Sequence, residues 1–124
     1  MTDPEEQVAR DGTVSAAVSN AVVRLVREYT GRGPTKARTA ISHDLVSVVM
    51  ADTLTKAERS LVENGKADLV LQVRQEFQRT MRDDLVAAVE TITEREVIAF
   101  MSDNHIDPDM AVESFVLRPE AAAG

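Results

Sequence analysis

Cysteine and tryptophan are both missing from these 124 residues. Without cysteine there are no disulfides, no thiolate metal sites and no cysteine nucleophiles. With no Trp, three Phe and one Tyr, the core has to be built mainly from aliphatic side chains. Long apolar runs are also lacking. The longest mainly apolar stretch, LVSVVMA at residues 45–51, falls far short of the ~20 residues that a spanning helix needs, so no direct membrane insertion is expected. Basic residues are in the minority, 14 against 21 acidic ones, for a formal charge of −7. Nucleic-acid backbone and anionic lipid both attract proteins through clustered Lys and Arg, so neither is expected as a partner. The opening MTDPEEQVAR is acidic and polar, unlike the basic-then-apolar order of a secretory leader, and points to a cytoplasmic location.

What is present is a regular alternation of patterns. The apolar share of 44% is enough for one core at this length. A single domain is therefore expected over residues 1–118, with a disordered tail at 119–124. Asp3, Pro4, Glu5 and Glu6 suit a helix start, with Asp as cap and acids at the positive end of the dipole. Asp11-Gly12 is expected to interrupt or delay that helix. From Val14 onward, Val18, Val22, Leu25, Val26 and Tyr29 share a face at helical spacing, which predicts a helix over 13–30 that stops at Gly31.

Residues 36–52 read as a hairpin of two β-branched runs turning at His43-Asp44. Thr55-Lys56-Ala57-Glu58 is a capping box that opens a short helix ending near Asn64-Gly65. Residues 66–92 predict a long helix, ~40 Å at ~1.5 Å per residue. Its apolar residues Leu69, Val73, Phe77, Met81, Leu85 and Val89 recur every fourth position. That spacing winds the stripe around the helix by ~40° per step. A second hairpin follows, with strands at 97–102 and 110–117. The order α-β-β-α-α-β-β predicts an α+β fold: an antiparallel sheet of about four strands, in two hairpins, packed by three helices.

Three groups of residues raise questions of chemistry. Gly31-Arg32-Gly33-Pro34 has the look of a phosphate cradle, but such loops run from strand to helix and this one runs from helix to strand. A helix stop and a Pro-fixed turn account for the glycines. Lys36 and Arg38 point to one face of a strand, either as charges that protect a sheet edge or, with Gly31, Arg32, Gly33 and Pro34, as a contact surface for a ligand or partner. The run Asp103-Asn104-His105-Ile106-Asp107-Pro108-Asp109 is similar in composition to a calcium loop. Pro108 stands where that loop needs glycine, however, and Ser114 where it needs a bidentate glutamate. His43, His105 and Asp103 are zinc-compatible types without ligand spacing. No serine sits in a nucleophile elbow, and Asp83-Asp84 are neighbours that do not face each other on a helix. No catalytic residue and no cofactor is expected, and the chain reads as a non-enzyme.

The stretches YTGRGPTKARTAI, DTLTKAERSLVENG and RQEFQRTMRDDLVAAVETITEREVIAFMSDNHIDPDMAVESFVL resemble the MpsC-like family of small bacterial proteins, over about residues 8–118. The marks are Gly-Arg-Gly-Pro at 31–34, Leu-Thr-x-x-Glu at 54–58, Arg74 through Arg82, Val89-Glu90, and Ser102-Asp103 through Phe115-Val116-Leu117. Where relatives often carry a glycine after the long helix, this chain has Thr93-Glu94-Arg95. The resemblance implies a soluble accessory or regulatory component of a membrane-potential-generating system for cation and inorganic-carbon transport. It implies no catalytic residues. The expected partners are a membrane transport protein and a second copy of the chain, since a winding stripe on a long helix leaves apolar patches that a two-fold dimer would cover. The alternative is a small-molecule or anion sensor using the 31–38 loop.

Overall fold

The computed structural model describes residues 4–120, with side chains from residue 12 onward. The expected Asp3 cap and residues 121–124 of the expected tail lie outside the described residues. The elements are α1 (Pro4–Thr30), β1 (Lys36–Ser42), β2 (Leu45–Ala51), α2 (Lys56–Glu63), α3 (Ala67–Thr93), β3 (Val97–His105) and β4 (Met110–Leu117). The predicted α+β order holds. The two hairpins meet at β2 and β4, giving one antiparallel sheet of order β1-β2-β4-β3.

Alternation along the central strands divides the sheet into two faces. Val46, Val48 and Met50 of β2 and Ala111, Glu113, Phe115 and Leu117 of β4 point inward and are buried. The helices lie on that side, α1 against β1 and α3, and α3 against β3. Val18, Val22, Leu25 and Val26 of α1 and Met81, Leu85 and Val89 of α3 complete one core, with Phe100 and Phe115 tilted at 5.1 Å between centroids. Among the described residues, no helix covers the opposite face. Cross-strand register sets its residues in rows, among them Arg38, Val49, Val112 and Asp103 from edge to edge. Ser47 and Ser114 share a hydrogen bond of 3.1 Å in the neighbouring row.

Two expectations are corrected. Helix α1 runs unbroken through Asp11-Gly12, because one glycine costs a helix only ~1 kcal/mol relative to alanine. Strand β3 extends to His105 rather than stopping at Ser102, and the turn shortens to Ile106–Asp109. The polar run Asp103-Asn104-His105 hides a strand whose inward-facing Asn104 finds a polar partner in Arg74. The stripe on α3 is buried only over its second half. Leu69, Val73 and Phe77 are exposed, while Val70 and Gln78 turn inward in their place.

Local geometry follows from a few residues. Thr55 and Glu58 form the predicted capping box. His43 takes positive φ in the β1–β2 turn, and Asp44 of that turn is paired with Arg95. After α3, Glu94 adopts the left-handed conformation (φ 58°) that glycine would take more readily, so the missing glycine leaves the turn intact.

Candidate functional site

A cleft of about 320 Å³ opens between the end of α1, helix α2, the first half of α3 and the inner sheet face. Its polar wall is built around Arg74, four residues before the half-buried turn of α3 that carries Gln78. Arg74 Nε and Nη2 donate to the two Glu58 carboxylate oxygens, both at 2.8 Å. Nη2 also donates to the Thr53 carbonyl at 2.7 Å, and Nη1 to Thr53 Oγ1 at 2.8 Å and to Asn104 Oδ1 at 3.3 Å. All five guanidinium N–H groups therefore have an acceptor inside the protein.

The same wall is braced from the β3–β4 turn. Asp109 accepts from the backbone N–H groups of Thr53 and Leu54 and from Thr53 Oγ1, at 2.9–3.0 Å. Glu58 Oε1 accepts in turn from the Thr55 backbone N–H at 2.9 Å. Burial alone pushes the Glu58 carboxyl upward, but the bonds from Arg74 and Thr55 together outweigh it and hold the pKa below the usual carboxylate range.

Glu113 has the opposite surroundings. It sits at the cleft floor, 2% exposed, and Oε2 has no hydrogen-bond partner among the described residues. Burial pushes its pKa up to about 7, and the nearby Ser102 hydroxyl and the charge of Arg74 pull it back only in part. Ser102 Oγ also lacks a partner among the described residues, so the proximity of the two side chains does not amount to an aligned hydrogen bond. At the rim stand Tyr29, Val73 and Phe77, each large and exposed. The Tyr29 hydroxyl donates away from the cleft, to Asp84 Oδ2 at 2.6 Å.

The residues singled out in the sequence are distributed differently. Gly31, at φ 80°, ends α1, and its N–H donates to the Arg27 carbonyl at 2.9 Å. Gly33 lies under the Arg27 side chain, where a Cβ would fall 2.8 Å from Nε. Arg32 Nε donates to the Asp52 carbonyl at 3.2 Å, and Thr35 bonds the Asp52 carboxylate. Pro34 completes this turn, while Lys36 and Arg38 lie on the uncovered sheet face along a shallow groove with Val49 and Met110. Thus the loop residues serve the α1–β1 connection, and the two strand residues face elsewhere. His43 and His105 occupy opposite ends of the sheet. Asp103 shares the outer face with His105, whose Nδ1 is 2.8 Å from the Pro108 carbonyl. No group of three or more potential metal-ligating residues occurs among the described residues.

A family model described as the Na+-translocating membrane potential-generating system (MpsC) matches residues 10–119. This chain belongs to the MpsC family. No curated protein and no solved structure matches it. Two of the motifs that carry the resemblance meet at the cleft of this MpsC family member, since the Leu54-Thr55-x-x-Glu58 run supplies the carboxylate and Arg74 the guanidinium. Sequence reasoning assigned Glu58 only a capping role and gave Arg74 no partner. Glu113 was missed although its signal was available: in MAVESFVL it shares the alternation of Ala111, Phe115 and Leu117, which places a carboxyl on the apolar face.

Proposed function

We propose that this chain is a non-enzymatic accessory or regulatory protein of a Na+-translocating membrane potential-generating system. It works from the cytoplasm and reaches the membrane through a protein partner. Family membership supports the system. No helix among the described residues is long and apolar enough to cross a membrane. The observation that carries the non-enzymatic reading is the closed accounting at Arg74: the strongest electrostatic group in the cleft is committed to Glu58, Thr53 and Asn104 and has no donor left for a reacting atom. The test is genetic and electrical. In cells lacking the chain, a potential-sensitive dye should report a reduced Na+-dependent membrane potential, and re-expression should restore it. An unchanged potential overturns the reading.

A homodimer is part of the same reading, and the uncovered sheet face supports it better than α3 does. On α3, Val89 is buried and Val86 packs on the core, which leaves only the first half of the stripe open. The sheet face exposes Leu45, Met101 and Met110, and it carries Arg38 at one edge and Asp103 at the other, in the same cross-strand row. Two such faces packed about a two-fold axis parallel to the strands set Arg38 of each copy toward Asp103 of the other. A two-fold axis across the strands would instead lay basic edge over basic edge. Light scattering should then give twice the 13.6 kDa chain mass. Arg38→Asp should yield monomer, and combining it with Asp103→Arg should restore the dimer. A monomeric unmodified chain overturns the dimer.

A further inference from the structure

We propose that the cleft between α1, α2 and α3 binds a small, mainly apolar molecule carrying one hydrogen-bond donor, a hydroxyl or a protonated amine, which Glu113 receives. The proposal rests on which groups in the cleft are free and which are used.

Arg74 is the obvious receptor for an anion, yet each of its five N–H groups already has an acceptor in the protein. A ligand carboxylate or phosphate would have to break one of those bonds to be recognised. Glu58 is occupied at both oxygens, by Arg74 and by the Thr55 backbone. Glu113 is the one residue lining the cleft that carries a buried side-chain atom, Oε2, with no partner among the described residues. A buried polar group without a bond costs roughly 1–3 kcal/mol, so a donor delivered to this oxygen recovers what folding leaves unsatisfied.

The rest of the cavity selects the body of the ligand. Met50, Leu61, Val73, Phe77 and Met81 line it, and a space of about 320 Å³ falls within the ~300–1,000 Å³ common for small-molecule sites. Val73 and Phe77 remain exposed at the rim, where a bound apolar chain would cover them. An ion or sugar would leave these walls without a counterpart. A purely aliphatic molecule would leave Glu113 without one.

Three six-carbon probes of equal length separate the possibilities: hexylamine, 1-hexanol and hexanoate, titrated calorimetrically into the full chain at pH 7.5. The amine and the alcohol should bind, and hexanoate should bind at least about tenfold more weakly than the amine, because its carboxylate meets Glu113 and finds no free donor on Arg74. Glu113→Gln should remove most of the preference of amine over alcohol while leaving alcohol binding within about threefold, since the amide oxygen still accepts but carries no charge. Binding of hexanoate equal to or tighter than the amine would overturn the proposal. So would no binding by any probe, or an amine preference that survives Glu113→Gln. The comparison of the three probes on the unmodified chain decides the matter even if the variant does not fold.

Discussion

Glu58 and Glu113 are two carboxylates in the walls of one cleft, and the structure treats them in opposite ways. Glu58 belongs to a helix cap and meets a guanidinium whose donors are all in use, so its charge is matched. Glu113 belongs to a central strand and faces apolar side chains, with one oxygen that has no partner among the described residues. Desolvation acts on both. Partners decide that the first pKa falls and that the second rises to about 7. The same residue type is therefore part of the scaffold in one place and an unmatched buried carboxyl in the other.

Cutting the match at Glu58 should have the largest effect. Arg74→Met keeps the stem of the side chain and leaves Glu58 without its counter-ion and Thr53 and Asn104 without their donor. Urea unfolding followed by far-UV circular dichroism at pH 7 should show a loss of about 3 kcal/mol, typical of breaking one half of a buried pair. Glu58 would then resemble Glu113, and its titration should move upward.

The second prediction concerns pH and turns on Glu113. Its folded pKa lies above the ordinary carboxyl value of 4.5, so the native state holds a proton that the unfolded chain has given up. Stability should therefore fall as pH rises from about 4.5 to about 7 and level off above, by about 3 kcal/mol in all. Glu113→Gln should flatten that slope and make the chain more stable than the unmodified one at pH 8. Glu58 works in the other direction. Its contribution is present above the unfolded pKa and is lost as pH falls through its lowered folded value. Thermal melts from pH 3 to pH 8 would display both limbs, and a flat profile between about pH 4.5 and pH 7 would contradict the surroundings assigned to Glu113.

The smallest effect should come from Thr55→Ala. It removes the side-chain cap on α2 but leaves Arg74 on Glu58, so a loss of about 1 kcal/mol is expected by the same urea titration. A loss as large as that of Arg74→Met would mean that the cap, rather than the ion pair, holds Glu58 in place.

These two carboxylates also show what a sequence discloses. Local signals were legible because they depend on neighbours in the chain. The Thr55–Glu58 box, the His43-Asp44 turn, the Gly31 stop and the alternation of β2 and β4 all reappear in the structure. The network at the cleft was hidden because its members come from distant segments: Arg74 on α3, Thr53 after β2, Asn104 on β3 and Asp109 before β4. A polar run such as Asp103-Asn104-His105 reads as a loop until its inward-facing member is given a partner. Likewise, the stripe on α3 announced that the helix would not be covered evenly, but which half stays open depends on where α1 crosses it.

The meeting of the two hairpins in the middle of the sheet has a consequence for how the chain assembles. Each hairpin closes over a short turn and forms with little loss of chain freedom. The ladder between β2 and β4 instead joins Ser47 to Ser114, 67 positions apart, and the loop it closes contains α2, α3 and β3. The entropy of closing such a loop is lost before the central contacts form, so those contacts gain little until α1 and α3 settle on the inner face. Neither hairpin carries a core alone, because Val46, Val48 and Met50 come from one and Ala111, Phe115 and Leu117 from the other. The cleft inherits this interdependence, since its floor draws on β2 and β4 and its walls on the end of α1, α2 and α3, so it forms only where both hairpins and all three helices are in place.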